Sequence, residues 1–170
     1  MPERAKVLDL GTGTGAIALA VASERPYWQV TGVDSSLDAL QVARSNAEQN
    51  GLQRVSLLQS HWYEAVAGER FDALLANPPY IEAEDPHLAR GDVRFEPRSA
   101  LVAANGGLAD LQQLVAGAPA QLRDGGWLLL EHGFEQAAEV RAMLRDAGFG
   151  NISTRRDLSG HERITGGCWH

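Results

Sequence analysis

Two short segments of the chain carry residue types that could do chemistry together. In Asp9-Leu10-Gly11-Thr12-Gly13-Thr14-Gly15, three glycines stand at alternate positions, where the backbone can turn sharply and meet a ligand with no Cβ in the way. A helix starting behind such a loop presents backbone amides at its N-terminus. Asp34, nineteen residues beyond Gly15, has a carboxylate suited to accept hydrogen bonds from both hydroxyls of a ribose. The second segment is Asn77-Pro78-Pro79-Tyr80. An amide-type NH2 is a poor nucleophile because its lone pair is delocalised into the neighbouring carbonyl, and no ordinary side-chain base could deprotonate it beforehand. Two acceptors, the Asn77 side-chain oxygen and the Pro78 backbone carbonyl, would take both N–H hydrogens and disfavour that resonance, aiming the lone pair at an electrophilic carbon. The prolines stiffen the segment and remove competing donors. Tyr80 offers a flat face to a planar amide or base.

For these segments to meet, the fold must bring them to one edge of a sheet. Short apolar, β-branched runs at 6–10, 29–33, 55–59, 71–76 and 127–131 read as strands. They alternate with helical patterns over 14–24, from the Asp34-Ser35-Ser36 cap to about 50, over 108–122 and over 135–147. Strand–helix alternation implies parallel pairing with helices on both faces. Runs at 152–157 and 163–169, separated by Leu158-Ser159-Gly160-His161, read as an antiparallel hairpin. The expectation is therefore a single α/β domain over 1–170, Rossmann-like, with a mostly parallel seven-stranded sheet ending in an antiparallel hairpin. In this topology a loop that follows a strand beside the topological switch point is where ligands bind. The stretch from 77 to 107, rich in Pro, Asp, Glu and Arg, is long enough to be functional, and it reads as a cover for the site.

The glycines alone leave the ligand open. Gly11, Gly13 and Ala16 also fit the dinucleotide fingerprint G-x-G-x-x-G/A, so a nicotinamide or flavin oxidoreductase remains a reading. Asp9 and Gly15 complete a D-x-G-x-G-x-G form that resembles the first motif of class I S-adenosylmethionine-dependent methyltransferases. The stretch NPPYIEAEDPHLARGDVRFEPRSALVAANGGL, with VLDLGTGTGAIALA before it and LLLEHG after it, resembles the HemK/PrmC family of release factor glutamine methyltransferases over nearly the whole chain. The NPPY tetrapeptide is also shared with DNA adenine methyltransferases; the block from His87 through Glu96 to Leu101 is more specific.

That resemblance implies transfer of methyl from S-adenosylmethionine, leaving S-adenosylhomocysteine. The acceptor would be the side-chain nitrogen N5 of the glutamine in the Gly-Gly-Gln motif of class 1 peptide chain release factors, in the cytoplasm. It implies cofactor contacts at Asp9, Gly11, Thr12, Gly13, Thr14, Gly15, Asp34, His61, Trp62 and Asn77, and substrate contacts at Asn77, Pro78, Pro79 and Tyr80. Asn77, Pro78 and Tyr80 would be catalytic. Trp62 would lie against the adenine. His61 stands where relatives often carry Asp, which could accept from the adenine amino group. Members usually carry an N-terminal helical domain that grips the release factor, whereas this chain starts almost at its first strand. Asp92, Arg94 and Glu96 read as a surface charge cluster or as loop-ordering groups, and Glu131 and His132 as structural supports at the end of a strand near the cleft.

Composition narrows the alternatives. A formal charge of −7 argues against an autonomous nucleic-acid binder, which needs a basic face, and so against a DNA adenine methyltransferase; a ribosomal-protein glutamine would suit the same site. No apolar run approaches a membrane span. No secretory leader is expected, because the chain runs almost at once into a strand. The single Cys168 excludes an internal disulfide and reads as a small buried hydrophobe. Five scattered histidines show no zinc spacing, so no metal is expected. A binding module without catalysis remains a further reading.

Overall fold

The computed structural model describes residues 2–78 and 108–170. The elements are β1 (Lys6–Leu10), α1 (Ala16–Glu24), β2 (Gln29–Asp34), α2 (Leu37–Gln49), β3 (Ser56–Gln59), β4 (Phe71–Ala76), α3 (Ala109–Gln121), β5 (Leu122–Glu131), α4 (Ala137–Asp146), β6 (Gly150–Arg156) and β7 (Glu162–Cys168), with a 3-10 turn at Glu64–Val66. The seven strands form one sheet in the order β3-β2-β1-β4-β5-β7-β6. All pairings are parallel except those of β7, which runs antiparallel to both β5 and β6. The α/β fold with its C-terminal antiparallel hairpin is as expected.

Successive strand residues point to opposite faces, and β4 shows what that does here. Leu74 and Ala76 join the cluster that includes Leu111 and Leu114 of α3 and Val140 and Leu144 of α4. Ala73 and Leu75 pack instead with Val7 and with Val21 of α1. Helices therefore cover both faces of the sheet, and the central strands are apolar on both sides. A fully buried leucine such as Leu8, Leu74 or Leu128 contributes about 1.5–3 kcal/mol.

Element ends differ from expectation for local reasons. α1 begins at Ala16, two residues late, because Gly15 serves as its N-cap in the left-handed region at φ 82°. α2 is capped by Ser36, whose hydroxyl accepts from the Ala39 amide at 3.2 Å. β5 starts five residues early, at Leu122. Arg123-Asp124-Gly125-Gly126 looks like a turn in sequence, and it is accommodated as a register shift against β4 between Phe71 and Ala73. Gly125 donates to the Trp169 carbonyl, Trp169 donates back to Gly126, both at 2.8 Å, and Arg123 pairs with Asp72 at 2.7 Å.

Candidate active site

From β1 the chain moves outward to β2 and β3, then returns to place β4 on the other side of β1. That reversal is a topological switch point, and in open α/β sheets ligands bind at such a point, beyond the carboxyl ends of the strands, here those of β1 and β4. Leu10 is the register partner of both Val33 and Ala76. The glycine loop, which follows Leu10, and Asn77, which follows Ala76, thus leave the sheet on adjacent strands about 4.8 Å apart.

The loop is held from beneath. Asp9 is buried, and its Oδ2 accepts from the Thr12 hydroxyl at 2.6 Å and from the Ala18 amide at 3.1 Å. Burial pushes its carboxyl up to about 6, against the pull of those two hydrogen bonds and with some help from the nearby Asp34 charge. Its Oδ1 is buried and has no hydrogen-bond partner among the described residues. The amides of Gly11 and Thr12 both donate to Val33 at 2.9 Å, and that of Gly15 donates to Thr12 at 2.8 Å. Gly13 donates to Asp34 Oδ2 at 2.8 Å. Gly11, Thr12, Gly13 and Gly15 therefore spend their amides on shaping the loop itself, and of the amides at the start of α1 that of Ala18 is spent on Asp9.

Asp34 ends β2 half-buried, and its other oxygen, Oδ1, accepts from Ser36 at 2.9 Å. Trp62, after β3, lies against the loop: a Cβ built on Gly11 would sit 3.3 Å from its ring. The Trp62 backbone is left-handed, at φ 46°, an uncommon conformation for a bulky residue. Its indole Nε1 is buried and has no hydrogen-bond partner among the described residues. His61 is exposed, 4.0 Å from Glu64, with its ring 5.9 Å from that of Trp62. Asn77 is exposed and Pro78 buried. Pro79, Tyr80, the block from His87 to Leu101 and the residues Asp92, Arg94 and Glu96 lie outside the described residues. Among the described residues no group of His, Cys, Asp or Glu could hold a metal ion, and no helix is long and apolar enough to cross a membrane.

With this geometry in view, a family model described as the methyltransferase small domain matches residues 1–156. The chain belongs to the methyltransferase small domain family. It is 57% identical over 167 residues to the release factor glutamine methyltransferase of Pseudomonas aeruginosa, covering 98% of this chain and 60% of that one. To the enzyme of the same name from Salmonella typhimurium it is 54% identical over 162 residues, covering 95% and 58%. The chain thus spans less than two thirds of the length of these relatives. Among solved structures, a T. thermophilus 16S rRNA N2 G1207 methyltransferase in complex with AdoMet and guanosine superposes with a TM-score of 0.69 at 24% identity, covering 98% of this chain and 38% of that one.

Membership of the methyltransferase small domain family sets aside the nicotinamide oxidoreductase as a reading of the glycine loop. Three residues of this methyltransferase domain that shape the site went unremarked in sequence. A Cβ on Gly32 would stand 2.8 Å from the Thr12 hydroxyl; a glycine inside a β-branched strand was the available signal of a close approach. Gly117, in α3, lies face to face with the Tyr63 ring. Ser60 is buried beside Trp62 and left no mark in sequence, because a serine after a strand is ordinary.

His132 is fully buried two residues beyond Leu130, the β5 partner of Ala76. Its Nδ1 donates to the Gly133 carbonyl at 2.8 Å, and its Nε2 is hydrogen-bonded to the Thr165 hydroxyl at 2.7 Å. The Thr165 hydroxyl is also hydrogen-bonded to that of Thr154, 2.9 Å away, and Thr154 accepts from Arg141 at 2.9 Å. Burial lowers the pKa of the ring below the usual histidine value, against the pull of the Gly133 carbonyl. The structural role expected for His132 is the tying of β5, β6, β7 and α4 beside the switch point.

Proposed function

We propose that this chain is the catalytic domain of an S-adenosylmethionine-dependent protein-(glutamine-N5) methyltransferase. Its substrate is the Gly-Gly-Gln glutamine of class 1 peptide chain release factors, and its compartment is the cytoplasm. The observation that carries the reading is the shared register of Leu10 and Ala76, which brings the glycine loop and Asn77 to adjacent strand ends.

The residues present fit this cofactor. Gly11 leaves a cradle that a Cβ would fill against Trp62, and Asp9 Oδ1 and Trp62 Nε1 are buried polar atoms with no hydrogen-bond partner among the described residues. Gly11, Thr12, Gly13, Thr14 and Gly15 would line it, Asp34 would take the ribose hydroxyls on its remaining lone pairs, and Trp62, flanked by His61, would flank the base. Asp9 acts from below by holding Thr12 and Ala18. When bound, S-adenosylmethionine supplies a methyl group activated by a sulfonium.

Asn77 Oδ1 and the Pro78 carbonyl accept the two N–H hydrogens of the glutamine amide. That would pin the nitrogen and disfavour its conjugation, leaving its lone pair free to take the methyl group as the sulfonium sulfur releases it. Pro79 and Tyr80, outside the described residues, are by residue type suited to stiffen the segment and to offer a flat face to the amide. As the N–C bond forms, the surplus proton on nitrogen passes to solvent. Asn77 also borders the cofactor, which makes it the hinge between the two halves of the site.

Incubation with methyl-labelled cofactor and a class 1 release factor tests the proposal. Label on the Gly-Gly-Gln glutamine is expected, and label on a ribosomal protein or on DNA adenine instead would move the assignment to those acceptors. Absence of label from all three, with a full-length relative active alongside, would count against activity of this domain.

A further inference from the structure

We propose that Ser60 is a positioning residue for the nucleoside half of the cofactor site, holding Trp62 in the conformation that lays its indole against Gly11. The inference rests on the cofactor reading given above and concerns a residue that neither motif contains.

Ser60 follows β3 directly and is only 7% exposed. Its hydroxyl donates to the Trp62 carbonyl at 3.0 Å and accepts from the Ala65 amide at 3.0 Å, and its own amide donates to the Asp34 carbonyl at 2.9 Å. One small side chain thus closes the turn from 60 to 65 on itself, while its backbone fastens that turn to the residue that ends β2. Trp62 inside this turn has φ 46°. A β-carbon is disfavoured there, and such a conformation persists only where the surroundings over-determine it. The two hydrogen bonds of the Ser60 hydroxyl supply that determination. The consequence is a fixed wall, since a Cβ on Gly11 would already lie 3.3 Å from the indole. The packing of Tyr63 fixes the far end of the turn, its hydroxyl donating to the Leu114 carbonyl at 2.7 Å. Without Ser60, the strained residue is the one free to relax, and its ring is what the base would meet.

Calorimetry with S-adenosylhomocysteine tests this on the whole chain through a double-mutant cycle. Ser60→Ala should raise Kd about tenfold, the worth of one to two lost hydrogen bonds. Trp62→Gly removes the indole but adopts the left-handed conformation without strain, so adding Ser60→Ala to it should change Kd less than about twofold. In turnover with release factor, Ser60→Ala should raise the cofactor KM and leave kcat near wild type. Ser60→Cys, similar in size with weaker hydrogen bonding, should weaken binding less than alanine and keeps the test available should alanine fail to fold. An unchanged Kd in a folded Ser60→Ala or Ser60→Cys protein overturns the proposal. So does an equal effect of Ser60→Ala with and without Trp62, which would mark general loosening. A wild-type chain that binds no S-adenosylhomocysteine overturns the cofactor reading and this inference with it.

Discussion

Asp34 Oδ2 accepts a hydrogen bond from the Gly13 amide at 2.8 Å while its Oδ1 accepts from Ser36 at 2.9 Å. A single carboxylate at the end of β2 thereby sets the height of the glycine loop and the start of α2 before any ligand arrives. An ionised carboxylate offers about four lone-pair sites, so two remain for ribose hydroxyls. Asp34→Ala should lower affinity for S-adenosylhomocysteine by about 2–3 kcal/mol, roughly 30- to 150-fold, since charge-assisted bonds are lost from both protein and ligand. Asp34→Asn, which keeps one acceptor oxygen, should fall between. Calorimetry on the three proteins checks the order; equal affinities would remove Asp34 from the site.

Asp9 carries a pH signature. Its carboxyl ionises near 6 in the folded chain and near 3.9 when unfolded. Between those values the folded state holds a proton that the unfolded state has released, so stability from this group is complete below about pH 4 and is lost as pH rises to about 6. The loss is bounded at about 3 kcal/mol. Asn at position 9 cannot ionise, and subtracting its stability from the wild type cancels every other group. Urea denaturation should therefore show the Asp9→Asn variant gaining on wild type by up to about 3 kcal/mol between pH 4 and pH 7. A pH-independent difference would mean that burial does not govern this carboxyl.

Much of this site could be read from residue types alone. The seven strands, their parallel order and the hairpin followed from apolar runs and glycines, and the two loops from Gly11–Gly15 and Asn77-Pro78. The remainder was hidden for definite reasons. Arg123-Asp124-Gly125-Gly126 carries turn chemistry, yet belongs to β5 because Trp169 supplies its backbone partners. The amides of Gly11, Thr12 and Gly13 are consumed by Val33 and Asp34, and that of Ala18 in the first turn of α1 by Asp9, a matter of geometry that spacing does not encode. Ser60 and Gly117 act through contacts distant in sequence or through a backbone angle, and neither leaves a periodic trace.

Gly117 offers a case in which helix propensity and packing disagree. Replacing a helical glycine by alanine ordinarily stabilises by about 1 kcal/mol. Here the new methyl would meet the Tyr63 ring at 2.5 Å, and Tyr63 cannot yield freely because its buried hydroxyl is tied to Leu114. Overpacking of that kind costs about 1–3 kcal/mol, so Gly117→Ala should lower Tm by several degrees. In a Tyr63→Ala background the clash is gone and the same substitution should raise Tm. Thermal melts of the four proteins decide it, and a stabilised single variant would show that the ring moves aside at little cost.

Asn77 separates chemistry from binding. It follows the Leu10 partner Ala76 and is exposed, so its side chain can be altered without disturbing the core. On the proposed reading, Asn77→Ala would remove one of two acceptors for the substrate NH2, an interaction strengthened as the amide loses conjugation, and preorganised groups of that kind are worth about 10²–10³ in rate. kcat should fall by that factor while the Kd for S-adenosylhomocysteine rises only a few fold. Asn77→Asp keeps an acceptor oxygen, but its charge would attract the sulfonium as well as the amide; it should bind cofactor at least as well as alanine and recover part of the rate. Single-turnover transfer to release factor, measured beside calorimetry, distinguishes these terms. If alanine depressed binding and turnover equally, Asn77 would be part of the cofactor wall alone, and the acceptor pair would have to be sought elsewhere along the strand ends.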